Sequence, residues 1–285
     1  MRKLCIYHGN CADGFTAAWA ARRAIGEDAH FLPATYGDLP PDVAGKDVFI
    51  VDFSYKRPVL EAMAYTARSI TVLDHHKTAA EDLIGLPQPV DWYTAGGAPM
   101  PGLYALFDMN RSGAGVTWDY FFPGAPRPQL LNHIEDRDLW RFALPGTREI
   151  QSEVFSHEYT FATWDKLMQE PLDELARAGE AIDRKHLKDV RELIKVTTRR
   201  MVLGGHNVPI ANLPYTYVSD AANILAEGEP FAGCYWDVPG FRTFGLRSKP
   251  GGADVGEIAK LYGGGGHKHA AGFRLDYAAA AALEV

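Results

Sequence analysis

Ser69-Ile70-Thr71-Val72-Leu73-Asp74-His75-His76-Lys77 is the stretch on which the reading of this chain turns. Its first half, rich in β-branched residues, reads as a strand, and the run ends on an acid and two imidazoles. Two other short apolar runs end in the same way: Leu4-Cys5-Ile6-Tyr7 delivers His8, and Val48-Phe49-Ile50-Val51 delivers Asp52. Runs of this length alternating with helix-like segments predict an α/β fold, a mostly parallel sheet with helices on both faces. The strands' carboxyl ends then lie side by side, along the crevice where open α/β sheets place their ligands. Imidazoles and carboxylates gathered there point to a divalent-metal hydrolase site.

Working outward, Gly9 to Gly14 has turn chemistry, and Phe15 to Arg23 has helical composition. Ala29 to Pro33 reads as a weaker strand. Between Asp52 and Ser69, Val59, Leu60, Met63 and Ala64 recur at helical spacing, so a helix crosses over between the two strands. Loops fill Leu83 to Pro101, with one strand expected around Val90 to Thr94. Leu103 to Phe107 reads as another strand, Ser112 opens a helix running to Phe122, and a further helix spans about Pro128 to Asp138. From Leu172 to about Met201 apolar residues recur every three or four positions without a proline, which predicts one long linker helix, a spacer or the seam of a homodimer. Beyond Gly204-Gly205 a differently built, smaller α/β domain begins. Its expected parts are a strand Val208 to Leu213, a helix near Ser219 to Ala226, strands Phe231 to Val238 and Phe241 to Arg247, and a helix Val255 to Leu261.

At 285 residues the chain is long enough for two domains. Its 29 basic and 36 acidic side chains leave a formal charge of -7, which argues against a protein held on duplex nucleic acid by its overall field. Cys5, Cys11 and Cys234 form no Cys-x-x-Cys pair, which disfavours a disulfide framework or zinc ribbon and fits a reducing cytoplasm. The apolar run after Arg2 and Lys3 is too short for a signal peptide or a membrane span, so a soluble protein is expected.

His8, Asp13, Asp52, Asp74, His75, His76 and Asp136 all fall at inferred element ends. Carboxylates brought this close repel one another and call for cations. The motifs His8-x-x-Cys11-x-Asp13-Gly14, Asp52, Asp74-His75-His76 and Glu135-Asp136-Arg137-Asp138 resemble, in this order, those of the DHH phosphoesterase superfamily. Gly264-Gly265-Gly266-His267-x-x-Ala270-Ala271-Gly272-Phe273 resembles the signature of the companion DHH-associated domain, so the likeness covers nearly the whole chain. It implies a catalytic metal-binding domain over residues 1–190, a substrate-binding domain over residues 191–285 and an active site in the cleft between them. It also implies one or two manganese ions, with magnesium, cobalt or zinc as alternatives.

Carried over position by position, the resemblance makes Asp52 the carboxylate shared by both metals and a catalytic residue. His8 would hold the first metal, and Asp13, His75 and Asp136 the second. Asp74 would orient an imidazole from behind the ligands, and the catalytic His76 would face the phosphate or leaving group. Asp136 is preferred over Asp138 as ligand, because helix-end acids often only cap or pair. One departure stands out: the usual first motif is Asp-x-Asp, and here Cys11 replaces the first acid. A thiolate is softer, so Cys11 is either a ligand that weakens or re-tunes the first site or a small buried residue without chemistry.

Glycine runs are ordinarily flexible loops. With Arg247 and Ser248 before them and His267 after, Gly264, Gly265 and Gly266 read as an anion cradle for the substrate phosphate. Tyr235, Trp236 and Phe244 could stack a base, although alternating aromatics on strands more often fill a core. The expected reaction is hydrolysis of a phosphodiester bond in short single-stranded RNA or DNA, or in a small phosphorylated nucleotide, by metal-activated water. The competing readings are a nucleotide or pyrophosphate phosphatase, and a catalytically decayed nucleotide-binding protein, for which Cys11 is the main hint.

Overall fold

In the computed structural model, which describes residues 2–283, the apolar runs of the amino-terminal part become strands. They are β1 (Lys3–His8), β2 (His30–Ala34), β3 (Asp47–Val51), β4 (Ser69–Asp74) and β5 (Gly102–Phe107). All pair in parallel in the order β2-β1-β3-β4-β5. Side chains alternate across this sheet as the pleat requires. Leu4, Ile6, Val48, Ile50, Ile70 and Val72 face one core with Leu60 and Met63 of helix α2 (Arg57–Ala64). Cys5, Phe49, Val51 and Leu73 face the other, where α1 (Ala12–Ile25), α4 (Gly113–Phe121) and α5 (Gln129–Asp138) pack. A short α3 (Lys77–Asp82) follows His76. The sheet is thus covered on both faces, which is why its strands read as continuous apolar runs rather than as polar alternations.

Strand order fixes where a ligand can enter. The chain leaves β1 toward β2 on one side and reaches β3 on the other, so the topological switch point lies between β1 and β3. His8 closes β1, and Asp52 follows β3 directly.

Helices α6 (Thr147–Phe155) and α7 (Phe161–Leu167) add Ile150, Val154, Trp164 and Leu167 to the second core. Neither was read from the sequence. The stretch expected as a strand at Val90 to Thr94 forms turns instead. There the Asp91 carboxylate accepts from the Thr94 amide and hydroxyl, at 2.9 and 2.7 Å, the local bonding that draws such residues out of a ladder.

The chain divides into two compact units, Met1–Asp183 and Arg184–Val285. The long helix α8 (Leu172–Thr197) starts in the first and ends in the second. Its expected end at Met201 is corrected to Thr197. From Thr198 the chain is β6 (Thr198–Leu203), which turns at Gly204-Gly205 and pairs antiparallel with β7 (His206–Asn212). The β-branched Val196-Thr197-Thr198 run weakens the helix where the hairpin begins.

The second unit continues with α9 (Val218–Leu225), β8 (Ala232–Val238), β9 (Phe241–Arg247), α10 (Val255–Lys260), β10 (Gly265–Gly266), β11 (Ala270–Asp276) and α11 (Tyr277–Ala281). Its sheet runs β10-β11-β9-β8-β7-β6, antiparallel except for the parallel β7-β8 pair. Tyr235 and Phe244 lie in its core, so these two aromatics pack rather than wait for a base. No helix among the described residues is long and apolar enough to cross a membrane.

Candidate metal centre

Three adjacent strands deliver the site. His8 ends β1, Asp52 follows β3, and Asp74 ends β4 with His75 and His76 after it. Asp13 comes from the first turn of α1, and Asp138 is the last residue of α5. His75 Nε2 faces three carboxylates, with Asp52 Oδ1 at 3.1 Å, Asp138 Oδ2 at 3.6 Å and Asp13 Oδ2 at 3.9 Å. The other Asp52 oxygen, Oδ2, lies 3.4 Å from His8 Nδ1. Asp52 therefore stands between two imidazoles, one on each oxygen.

Asp52 is 1% exposed, and neither of its oxygens receives a well-aligned hydrogen bond. It also sits at φ 53°, in the left-handed region that a non-glycine residue rarely adopts. A buried, poorly satisfied acid in a strained conformation is the kind of local cost that clusters at functional sites. Gly113, at the start of α4, makes room for it: a Cβ there would come within 2.5 Å of Asp52 Oδ1.

The same helix start orients Asp13. Its carboxylate accepts from the Gly113 amide at 2.6 Å and from the Ala114 amide at 3.1 Å, on the electropositive end of α4. Ser112 caps that helix, accepting from the Gly115 amide at 3.2 Å, and Glu135 accepts from the Ser112 amide at 3.0 Å. Arg127 in turn donates to Glu135 at 3.0 Å. Sequence reasoning found the Ser112 helix start but not that its amides reach Asp13.

Asp74 is fully buried. Its Oδ1 accepts from the His75 amide at 2.8 Å and lies 2.7 Å from His76 Nδ1, so it fixes the ring of His76. Cys11 precedes α1, and its ligand atom groups with those of His8 and Asp52. Burial raises its thiol pKa, with the Asp52 charge acting in the same direction against the lowering contact with His8.

Asp136, preferred over Asp138 as ligand from the sequence, lies differently from Asp138. Asp136 turns away from His75 and accepts from the amides of Ala143 at 2.8 Å and Leu144 at 3.0 Å, and from the Thr147 hydroxyl at 2.7 Å. These bonds tie down the loop entering α6 and hold the Asp136 pKa below the usual carboxylate range against the opposing effect of burial. Asp138, two residues on, groups instead with Asp13 and His75.

Tyr36 is a site neighbour that sequence reasoning missed. Its ring centroid lies 5.7 Å from that of His8, 5.9 Å from His76 and 5.0 Å from Phe53. It follows the end of β2, so the strand-end rule that found His8 and Asp52 would have found it too.

Among the described residues of the first unit, three groups of ligand atoms lie within 4.8 Å of one another: His8-Cys11-Asp52, Asp13-His75-Asp138 and Asp52-Asp74-His75-His76. Asp52 and His75 each belong to two. Such clusters could hold metal ions, and the donor set of carboxylates and imidazoles suits hard or borderline divalent cations. Charge supports the same fit. Burial first, then the Asp52 and Asp138 charges, push Asp13 well above the carboxylate range. Burial works against a charged His8 and His75, but bonding to Asp52 outweighs it and lifts both well above the usual imidazole range. The same imidazoles, against the effect of burial, keep Asp52 below the carboxylate range. Protons thus balance the buried acids wherever cations do not.

In the second unit, the guanidinium of Arg247 donates to the Leu246 carbonyl at 2.8 Å and to Ser219 Oγ at 2.9 Å. Ser248 is buried, with its hydroxyl 2.9 Å from His269 Nδ1. The His267 amide donates to the Ala270 carbonyl at 2.7 Å. Gly265 and Gly266 form β10 against β11, and backbone packing accounts for two of the glycines. A Cβ at Gly264 would overlap the Gly272 carbonyl, and Gly266 has φ 140° with the Ala270 carbonyl within 2.6 Å of where a Cβ would stand.

No protein-family model matches the chain. It is 29% identical, over 294 aligned residues, to the "uncharacterized protein R106" of Acanthamoeba polyphaga mimivirus, with 94% of this chain and 66% of that protein covered. The chain therefore spans slightly less than two thirds of that relative's length. Among solved structures it is similar to a pGpG-specific phosphodiesterase, PggH, from Vibrio cholerae, at 15% identity and a TM-score of 0.49, covering 100% of this chain and 96% of that one. It is also similar to an exopolyphosphatase-related protein from Bacteroides fragilis, at 11% identity and a TM-score of 0.44, covering 95% of this chain and 86% of that one.

Proposed function

We propose that this chain is a metal-dependent phosphoesterase of the DHH type that hydrolyses phosphodiester bonds in short single-stranded oligonucleotides or small nucleotides. The observation that carries the reading is Asp52, buried and strained at the switch point, with one oxygen toward His8 and the other toward His75. A carboxylate presenting its two oxygens to two separate ligand groups is suited to bridging a pair of cations. His8, with Cys11 beside it, completes one position, and Asp13, His75 and Asp138 complete the other.

Divalent ions held there, manganese first among them, would supply a hydroxide nucleophile near neutral pH and would neutralise charge on the phosphoryl group. The chain's own groups do the rest. The α4 amides hold the Asp13 carboxylate in place, and Asp74 holds the His76 ring, which as an imidazolium would give its Nε2 proton to the departing oxygen and be left neutral. In this reading Arg247, Ser248, Gly264, Gly265, Gly266 and His267 belong to the substrate-binding half, with Arg247 and His267 as its phosphate donors. Three free cysteines suit a reducing cytoplasm.

Manganese titrated into the purified chain, followed by incubation with a labelled dinucleotide, bis(p-nitrophenyl) phosphate and pyrophosphate, tests the proposal. Metal uptake with release of mononucleotides from the dinucleotide is expected. Cleavage of pyrophosphate alone would move the assignment to a phosphatase, and no cleavage with any divalent metal would leave a binding protein.

A further inference from the structure

We propose that the Tyr36 phenol contacts the substrate, donating a hydrogen bond to an oxygen of the phosphate bound in this crevice. The proposal rests on the phosphoesterase reading and adds a contact that reading lacks.

Tyr36 is held rather than loose. Its loop leaves β2, the strand beside β1, through a braced turn. The Asp38 carboxylate accepts from the Thr35 amide at 2.7 Å and the Thr35 hydroxyl at 3.0 Å, while the Asp38 amide donates to the Thr35 carbonyl at 3.0 Å. The ring packs on Phe53, itself almost fully buried and next in sequence to Asp52. It meets His8 and His76 at interplanar angles of 64° and 77°, so edge contacts fix it on the side of the candidate ligands. Phe53, His8 and His76 thus leave the ring little freedom to turn.

Despite this bracing, Tyr36 is 49% exposed. Among the described residues, nothing accepts from or donates to its hydroxyl. Some tyrosine hydroxyls serve the fold: Tyr235 accepts from Arg199, Tyr262 accepts from the Gly204 amide, and Tyr277 donates to the Val238 carbonyl. The ring's contacts with His8 and His76 place it at the same crevice as the ligand clusters. An ordinary phenol keeps its proton near neutral pH and is a donor there. A rigid, accessible donor beside a cation site is matched by an anion that also reaches the cations, and a phosphate oxygen is that acceptor.

The competing role is a flat surface for a nucleobase, to which the hydroxyl would be incidental. Tyr36→Phe separates the two, because it keeps the ring and removes the donor. Calorimetric titration of inorganic phosphate into the manganese-loaded full chain, with steady-state hydrolysis of bis(p-nitrophenyl) phosphate, provides the readout. Tyr36→Phe should weaken phosphate binding about tenfold, with manganese affinity and melting temperature unchanged. Phosphate affinity unchanged in Tyr36→Phe overturns the proposal, and a further loss confined to Tyr36→Ala assigns the ring to stacking. Manganese affinity falling in step with phosphate affinity overturns it as well, because Tyr36 would then act through the ligands. A wild-type chain that takes up neither manganese nor phosphate brings down the phosphoesterase reading and this contact together. A wild-type chain that binds both, with Tyr36→Phe indistinguishable from it, brings down this contact alone.

Discussion

Where β1, β3 and β4 end, the Asp52 carboxylate is crowded against the His8 and His75 imidazoles with no well-aligned hydrogen bond to either of its oxygens. Along β10 and β11, by contrast, glycines lie where the chain's own packing requires glycine. Asp52 is buried, left-handed and poorly hydrogen-bonded, and only the His8 and His75 imidazoles answer its charge. Gly264 and Gly266 are explained by the approach of β11. A side chain whose position costs stability and is not repaid within the fold is stronger evidence of a site than a motif whose residues the backbone already demands.

Asp52→Asn gives the sharpest break. Asparagine tolerates left-handed backbone and keeps the shape while removing the charge. Manganese affinity and turnover should each fall by at least about 100-fold, since even residues behind metal ligands cost 10- to 100-fold. The metal-free protein should melt lower than wild type near neutral pH, because His8 and His75 lose the carboxylate that holds their protons. Undiminished manganese uptake in calorimetry would show that the crevice does not need Asp52.

Two glycine substitutions then set one region against the other. Gly113→Ala drives a methyl into the Asp52 side chain, so manganese affinity should drop by about 10- to 100-fold. Gly264→Ala drives one into the Gly272 carbonyl and should cost about 1–3 kcal/mol in denaturant melts, while manganese affinity stays at the wild-type value. Equal effects of both on metal uptake would erase the contrast.

Asp136 and Asp138 carry the same contrast within one helix. Asp136→Asn keeps one acceptor oxygen and turns an NH2 toward either the Ala143 amide or the Leu144 amide and Thr147 hydroxyl, and should lower stability by about 1–3 kcal/mol with little change in metal affinity. Asp138→Asn should do the reverse, weakening manganese binding about tenfold at unchanged melting temperature.

These two residues also mark how far the sequence could be read. Strands that end on His8, Asp52 and Asp74 were legible because apolar runs stop abruptly at ionisable groups, and the parallel order follows from the intervening helices. The choice between Asp136 and Asp138 was not legible. Two acids two residues apart at a helix end differ only in direction, and direction is set by tertiary partners such as Thr147. Tyr36 was obscured by the weak signal of β2, an edge strand with His30 and Pro33 in it. Helices α6 and α7 lay in a stretch whose apolar residues are spread among charged ones. Gly204-Gly205 were read as the break after the long helix, although they also fit the turn of a hairpin.

Protonation gives a smaller but directional effect. Metal ligands must shed their protons, and here Asp13, His8 and His75 hold them more tightly than usual. Manganese binding should release protons, seen as a calorimetric enthalpy that varies with buffer ionisation heat, and apparent affinity should rise with pH. The metal-free protein should show the opposite trend. The stability contributed by His8 and His75 is complete below about pH 6.5 and is lost as pH climbs through their raised folded values. Asp13, also raised, opposes folding increasingly above about pH 3.9. Depressed Asp52 pulls the other way, but only in strong acid. A metal-free chain that grows steadily more stable from pH 5 to 8 would contradict the shared-proton account of the crevice.

Arg247→Ala should produce the smallest change, and its size tests whether the second unit contributes a phosphate donor at all. The guanidinium already serves the fold through the Leu246 carbonyl and Ser219 Oγ, and planar donors of this kind can hold a protein acceptor and a phosphate oxygen together. If Arg247 also serves substrate, the variant should raise KM for a dinucleotide several-fold and leave kcat nearly intact, the pattern of binding energy expressed equally in ground and transition states. Ser219→Ala removes one structural acceptor without touching the guanidinium, so any fall in melting temperature shared by both variants belongs to packing. A rise in KM confined to Arg247→Ala then belongs to substrate, and an unchanged KM would confine Arg247 to the structural role that its present bonds describe.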